Sequence, residues 1–298
     1  MKILLLGRNG QLGWELQRAL APLGEVDAPG RDDGGDLERI GDLTDRVYAS
    51  GAQVIVNAAA YTAVDRAEDP AEQDRCMEIN AGAPAALAMV ARETGALLVH
   101  YSSDYVFDGS GDTPRDEEAQ PGSESLYGES KAAADFAIQS SGCVHLILRT
   151  SWVYAARGAN FAKTMLRLAQ EREELRVVAD QIGAPTGAEL LADVSAHMIR
   201  HTMVNPSLGG LYNVVAAGQT SWHGYAGRVI ERARRCGVPI RLGPEGLKAI
   251  TTAEYPTPAT RPLNSRLAIE KVQQTFGLLL PHWTQGVDRM LDEILPTP

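Results

Sequence analysis

The sequence predicts an α/β fold, a doubly wound parallel sheet with a smaller α/β lobe at its C-terminal end. Three observations carry that expectation. Short apolar runs at 2–7, 53–59 and 96–103 alternate with longer stretches of helical spacing, as strands do when helices cover both faces of a parallel sheet. The first run passes through a turn with three glycines into the first helical stretch. After about Ser151 the alternation weakens. Residues 1–150 are therefore expected to form the sheet domain and 151–298 the smaller lobe, with one helix–strand unit near 187–217 returning to the main sheet.

The elements follow in order. "KILLLG" is a buried strand stopped by glycine, and "QLGWELQRALAPLG" has helical spacing through Leu12, Leu16, Ala19 and Leu20. A second strand is expected around "GEVDA", a helix over 37–50, the strand "QVIVNAA" and one long helix from about Pro70 to Thr94. The strand "ALLVHYSS" precedes a loop at 108–123 rich in Gly, Asp and Pro, then a helix carrying Tyr127 and Lys131. "VHLILRTSWVY" is the next strand. Helices at 162–172 and 190–201, a strand at "GLYNVV", the Pro-rich loop "AEYPTPATRPLNS" and a helical last ~30 residues complete the chain.

Composition narrows the function classes. Of 298 residues, 44% are hydrophobic and 22% charged, an ordinary globular balance. The formal charge of −10 and the lack of a Lys/Arg cluster argue against a nucleic-acid partner; "RARRC" at Arg232–Cys236 reads as the solvated face of a helix. No apolar stretch approaches the ~20 residues that span a bilayer, and "MKILLLG" is too short for a signal-peptide core. Cys76, Cys143 and Cys236 stand far apart, which fits buried thiols in a reducing, cytoplasmic compartment.

"GRNGQLG" places Gly7, Gly10 and Gly13 between a strand and an amphipathic helix. There, backbone N–H groups and a helix N-terminus can approach a pyrophosphate, the device of the dinucleotide-binding Rossmann fold. Gly7, Asn9, Gly10, Gln11, Leu12 and Gly13 are the candidate contacts. An acid ending the second strand would hold a ribose 2′-hydroxyl, and an Arg a 2′-phosphate. "DAPGRDDGGDL" offers Arg31 beside Asp32 and Asp33, so NADPH and NADH both stay open; Gly30 at the expected strand end favours NADPH. Asp36 and Leu37 are expected at the adenine, because Asp42–Leu43 would leave no room for a full helix before the third strand.

Ser103 is expected at the carboxyl end of its strand, where ligands gather in open parallel sheets. Tyr127 and Lys131 share a helix face on the same side. A hydroxyl, a phenol and an ammonium together suit carbonyl reduction, in which hydride attack builds negative charge on oxygen and an acid supplies a proton. A free Tyr has a pKa of ~10 and needs roughly 4 kcal/mol of help to exchange protons near neutrality. One cation ~4 Å away at an effective dielectric of ~20 supplies about that much.

Together these residues resemble the extended short-chain dehydrogenase/reductase family. "GQLGWELQRALAP", "VIVNAAAYTAVDRAE", "HYSSDYVFDG", "YGESKAA", "RTSWVY", "NFAKTMLRLA", "GAPTGAELLAD" and "YPTPATRPLNS" are similar to its dTDP-4-dehydrorhamnose reductase branch almost end to end. The resemblance implies reduction of the C4 keto group of dTDP-4-dehydro-L-rhamnose, a nucleotide sugar, with NADPH or NADH. It implies Tyr127 as proton donor, Lys131 as its partner and Ser103 where many members carry Thr. Asp104 and Trp152 match substrate-contacting positions, and Ala60, Tyr61 and Thr62 a cofactor-lining segment. It also implies a homodimer and, in some relatives, Mg²⁺ held across the dimer interface by Glu15, Glu189 and a C-terminal Glu, here Glu293. Read by residue type alone, these three are surface acids.

Two other enzymes share the fold and the Tyr/Lys pair, the nucleotide-sugar epimerases and 4,6-dehydratases, and a non-catalytic reductase-like subunit is a further alternative. His197 and His201, one turn apart, lack the HExxH glutamate and an obvious third ligand for zinc. "DGSGD" at 108–112 lacks the later Gly and Glu of a calcium loop.

Overall fold

The computed structural model describes residues 1–296. In the first half, strands and helices alternate as β1 (Lys2–Leu6), α1 (Gln11–Leu20), β2 (Glu25–Asp27), α2 (Ile40–Ser50), β3 (Val54–Asn57), α3 (Val64–Ala67), α4 (Pro70–Met77), α5 (Ala83–Thr94), β4 (Leu97–Ser103), α6 (Leu126–Ser141) and β5 (His145–Thr150). The second half holds β6 (Val153–Tyr154), α7 (Phe161–Glu171), β7 (Leu175–Val178), β8 (Ile182–Gly183), β9 (Thr186–Gly187), α8 (Ala188–Val204) and β10 (Gly210–Asn213). It continues through β11 (Thr220–Ser221), α9 (Trp222–Arg235), β12 (Leu247–Ile250), α10 (Glu270–Phe276) and α11 (Trp283–Ile294).

Six strands form one parallel sheet in the order β10-β5-β4-β3-β1-β2. Alternate residues of a strand face opposite ways, and β1 shows this directly. Ile3 and Leu5 pack with Leu16 and Leu20 of α1 and Met198 and Ile199 of α8 on one side. Leu4 and Leu6 pack with Leu43 and Val47 of α2 and Leu87 of α5 on the other. The sheet is thus α/β and doubly wound. The chain order reverses between β1 and β3, and a crevice opens at their carboxyl ends. A separate core joins α7, α9 and α11 around Tyr225 and Trp283.

Several boundaries differ from the sequence-based expectations. β2 ends at Asp27, not Gly30, because this edge strand pairs with β1 alone over three residues and the Ala28 carbonyl then accepts from Arg8 at 2.7 Å. The Asp27 carboxylate turns to Arg46 and away from the crevice. The long helix is interrupted by a wider π turn at Glu78–Gly82, which ends two residues before Pro84, a residue with no N–H for a regular ladder. The strand expected at 144–154 breaks at Ser151–Trp152, where Trp152 takes φ 51°, a left-handed conformation that bulky residues rarely adopt. α2 starts at Ile40 because the Asp36 side chain accepts from the Glu38 N–H at 3.2 Å and turns the chain. α9 was not anticipated as a whole: Arg232, Arg234 and Arg235 form its last turn, and Arg232 and Arg235 pair with Asp292 and Glu231.

Candidate active site

The glycine turn is built by close approach. Gly7 has φ +87°, and a Cβ there would lie 2.7 Å from the Ala58 carbonyl carbon, so the ends of β1 and β3 stay in contact. A Cβ on Gly13 would lie 2.0 Å from the Gly7 carbonyl oxygen, which lets α1 sit directly on the turn. α1 begins at Gly10 without a side-chain cap and with no acid in its first turn. Its first N–H groups and the positive end of its dipole therefore face the crevice uncompensated. This arrangement fits a pyrophosphate, and the crevice fits a dinucleotide.

That crevice has a volume of about 400 Å³. Of the sequence-predicted cofactor residues, Gly7, Asn9, Gly10, Arg31, Asp36, Leu37, Ala60, Tyr61 and Thr62 line it. Gln11, Leu12 and Gly13 are not on its wall. Gln11 accepts from Asn160 Nδ2 at 3.1 Å and ties the turn to the second lobe. Leu12 packs on the sheet core. Gly13 serves the helix–strand contact. Arg8, Pro29, Ala58 and Arg75 also line the crevice and were missed; only the "GRNG" segment holding Arg8 carried a signal. Asn80, inside the π turn, bonds both the N–H of Tyr61 at 2.8 Å and its carbonyl at 3.1 Å. The irregular turn thereby fixes the wall segment Ala60–Thr62.

Tyr127 and Lys131 lie on α6, the helix that follows β4. Ser125 caps α6 through the Gly128 N–H at 3.2 Å, and the Leu126 N–H donates to Glu68 at 2.9 Å. A Cβ on Gly128 would lie 2.0 Å from the Tyr105 carbonyl oxygen, so α6 can dock on the turn that follows β4. Ser103, the last residue of β4, donates to Asp104 at 3.0 Å and accepts the Tyr105 N–H at 3.2 Å. The Tyr105 and Tyr127 rings meet edge to face, 5.5 Å apart.

Burial pushes the Tyr127 phenol well above its ordinary value and the Asp104 carboxylate pushes it further, while the Ser103 hydroxyl acts in the opposite sense. The Lys131 Nζ donates to the Tyr101 carbonyl at 2.6 Å and lies 3.4 Å from His100 Nε2. Burial lowers Lys131 to about 8 against the pull of Asp135. Asp104, 2% exposed, is raised by its burial to about 6.

Trp152 stacks on Trp222 of α9 with ring centroids 3.7 Å apart, and Trp222 donates to Gln181 at 3.0 Å. A second hollow of about 560 Å³ lies along the Pro-rich segment from Tyr255 to Leu263 and includes Arg261. Arg261 pairs with Asp65 at 2.8 Å and reaches the Tyr105 hydroxyl at 3.5 Å, which joins this hollow to the Ser103–Tyr127 region. Neither Trp222 nor Arg261 was anticipated, since each works through a partner far away in sequence.

Glu15, Glu189 and Glu293 border one small pocket, yet Glu15 pairs with Arg18 and Glu189 with Arg289. No three His, Cys, Asp or Glu side chains gather to hold a metal among the described residues. The chain by itself does not fit Mg²⁺ there. His197 bonds the Phe276 carbonyl at 2.9 Å, and Asp108 holds Ser110 and Arg115, so both segments have structural partners. Among the described residues no helix is long and apolar enough to cross a membrane.

Comparison with known proteins adds independent findings. The model of the RmlD substrate binding domain family matches residues 1–295. The dTDP-4-dehydrorhamnose reductase of Escherichia coli K12 is 52% identical over 300 residues, covering 100% of this chain and 99% of that protein. The crystal structure of a dTDP-4-dehydrorhamnose reductase from Clostridium acetobutylicum superposes with a TM-score of 0.88 at 32% identity, covering 99% of both chains. That of the enzyme from Bacillus anthracis, in complex with NADP, gives 0.87 at 33% identity, covering 98% of this chain and 99% of that one.

Proposed function

The chain belongs to the RmlD substrate binding domain family, and from that premise we propose that it reduces the C4 keto group of dTDP-4-dehydro-L-rhamnose to give dTDP-L-rhamnose, using NADPH in preference to NADH. The observation that carries the proposal is the convergence of Ser103, Asp104 and Tyr127 at the carboxyl end of β4, next to a crevice walled by the Gly7–Gly10 turn.

When bound, the dinucleotide supplies the hydride. The remaining work falls to the chain. The Gly7–Gly10 backbone and the uncapped start of α1 would hold the pyrophosphate, Arg31 a 2′-phosphate, and Asp36 and Leu37 the adenosine side. Burial keeps the Tyr127 phenol protonated, the form a donor requires, and its O–H passes a proton to the carbonyl oxygen as negative charge grows there. The Ser103 hydroxyl donates to the same oxygen. The Lys131 ammonium favours the phenolate left behind. Asp104 and Trp152 orient the sugar.

Three buried free thiols support a reducing, cytoplasmic setting. The resemblance also suggests a homodimer, for which sedimentation of the purified protein is the test. The function itself is tested by adding purified protein and NADPH to dTDP-4-dehydro-L-rhamnose generated in situ. NADPH should be consumed in proportion to sugar reduced, and Tyr127→Phe should lose roughly 10²-fold or more in kcat. Full turnover by that variant removes Tyr127 from the mechanism, and no NADPH consumption by the parent protein overturns the reaction.

A further inference from the structure

Behind Lys131 lies a buried row of side chains that the reaction above does not use. Asn57 ends β3 and His100 lies within β4; each is 1% exposed. Asn57 Nδ2 is 3.3 Å from His100 Nδ1, and His100 Nε2 is 3.4 Å from Lys131 Nζ. The Asn57 amide cannot turn over without loss, because its Oδ1 accepts the Ala59 N–H at 3.2 Å. That contact holds Nδ2 towards the ring. An amide nitrogen donates and does not accept, so His100 Nδ1 is the acceptor and the ring proton of the neutral imidazole sits on Nε2. The Nε2–H then points at Lys131 Nζ, which already donates to the Tyr101 carbonyl at 2.6 Å. A donor aimed at this nitrogen repels an ammonium and suits an amine, which offers one lone pair.

We propose that His100 is a positioning residue for Lys131, its Nε2–H tautomer fixed by Asn57 and directed at Nζ so that the amine is biased towards its uncharged form. The catalytic consequence rests on the reductase reading; the arrangement of the three residues does not. Burial acts on Lys131 in the same direction as the imidazole N–H, and both burial and Lys131 keep His100 neutral. From its own helix Lys131 faces Asp135, and Tyr127 lies one turn away. Asp135 favours the ammonium, but Arg149 of β5 holds that carboxylate at 3.0 Å. From α4 it meets Cys76, whose thiol burial pushes upward and so keeps protonated. A dinucleotide that brings negative charge or hydroxyl acceptors to Lys131 then draws a proton into the protein as it binds.

The wild-type protein without dinucleotide provides the first test. It has six histidines and five lysines, few enough to resolve by nitrogen-15 imidazole and carbon-13 lysine spectra, with assignment by single substitutions. His100 should appear as the neutral Nε2–H tautomer; an Nδ1–H tautomer overturns the proposal. His100→Gln places an acceptor oxygen near Nζ, and Asn57→Asp puts an acceptor opposite Nδ1 and reverses the tautomer. Each should raise the Lys131 titration midpoint by ~1 unit and reduce proton uptake on NADP⁺ binding at pH 8, measured calorimetrically in two buffers. An unshifted midpoint in both variants overturns the proposal. If neither variant folds, the wild-type tautomer decides. Loss of reductase activity in the wild type with these signals intact sinks the reaction assignment and leaves this inference standing.

Discussion

Gly13 rests directly on Gly7, where a Cβ would stand 2.0 Å from the carbonyl oxygen and 2.6 Å from the carbonyl carbon. Both atoms belong to the backbone, so no side chain can move aside. Gly13→Ala must push α1 off β1, with an expected loss of about 1–3 kcal/mol or more. Gly10 differs, since a Cβ there meets nothing closer than 3.4 Å. Gly10→Ala should cost under about 1 kcal/mol while weakening NADPH binding. Urea unfolding of the two variants checks this, and equal midpoints would show that the contact carries no strain.

Asp104 titrates near 6 in the fold because it is buried, against ~3.9 in an unfolded chain. Between these values the folded protein holds the proton that the unfolded chain releases. The stability contributed by this group is therefore complete below about pH 4, declines as pH rises and is gone above about 6. Asp104→Asn removes the dependence. Relative to the parent, the variant should gain roughly 2 kcal/mol on going from pH 4 to pH 7, while KM for the keto sugar rises. Unfolding midpoints measured across that range decide the matter; a constant difference would mean that Asp104 titrates normally.

The parts of the fold set by local demands were readable in advance. The alternation of apolar runs announced a parallel sheet, and the sheet has the expected sequence of strands through β5. The glycine turn was legible because close backbone approach admits no other residue at Gly7. Tyr127 and Lys131 stood out by their one-turn spacing, and the fold sets Tyr127 beside Ser103. Contacts between distant segments left no comparable trace. Arg261 meets Asp65, Trp222 stacks on Trp152, and Gln11 reaches Asn160; none has a spacing that announces it. The end of β2 was misplaced because a three-residue edge strand has no apolar run to mark it, and Asp27 spends its charge on Arg46. The argument for NADPH from Gly30 at a strand end thus loses its premise, and the preference rests on Arg31.

Asp135 and Arg149 form an ion pair whose side chains are 2% and 3% exposed. One oxygen of the carboxylate and one nitrogen of the guanidinium have no hydrogen-bond partner among the described residues. Arg149→Met leaves a buried carboxylate without its ion-pair partner and should cost about 3–5 kcal/mol. The double variant Arg149→Met with Asp135→Leu should recover most of that loss, because neither member of the ion pair is left buried without the other. A double-mutant cycle by urea unfolding measures the coupling. Additive losses would mean that the pair is not coupled.

Arg31 stands exposed at the rim of the crevice, in the turn that follows β2. The other two arginines on the wall are engaged, Arg8 with the Ala28 carbonyl and Arg75 with Glu38. A guanidinium exposed at this rim suits a 2′-phosphate, and a charge-assisted hydrogen bond there contributes about 1.5–3 kcal/mol. Arg31→Ala should therefore raise KM for NADPH by roughly 10- to 100-fold and leave KM for NADH within about 2-fold. Steady-state rates with both coenzymes separate the cases. A parallel rise for NADPH and NADH would place Arg31 outside 2′-phosphate recognition and return the choice of coenzyme to Asp36 and its neighbours.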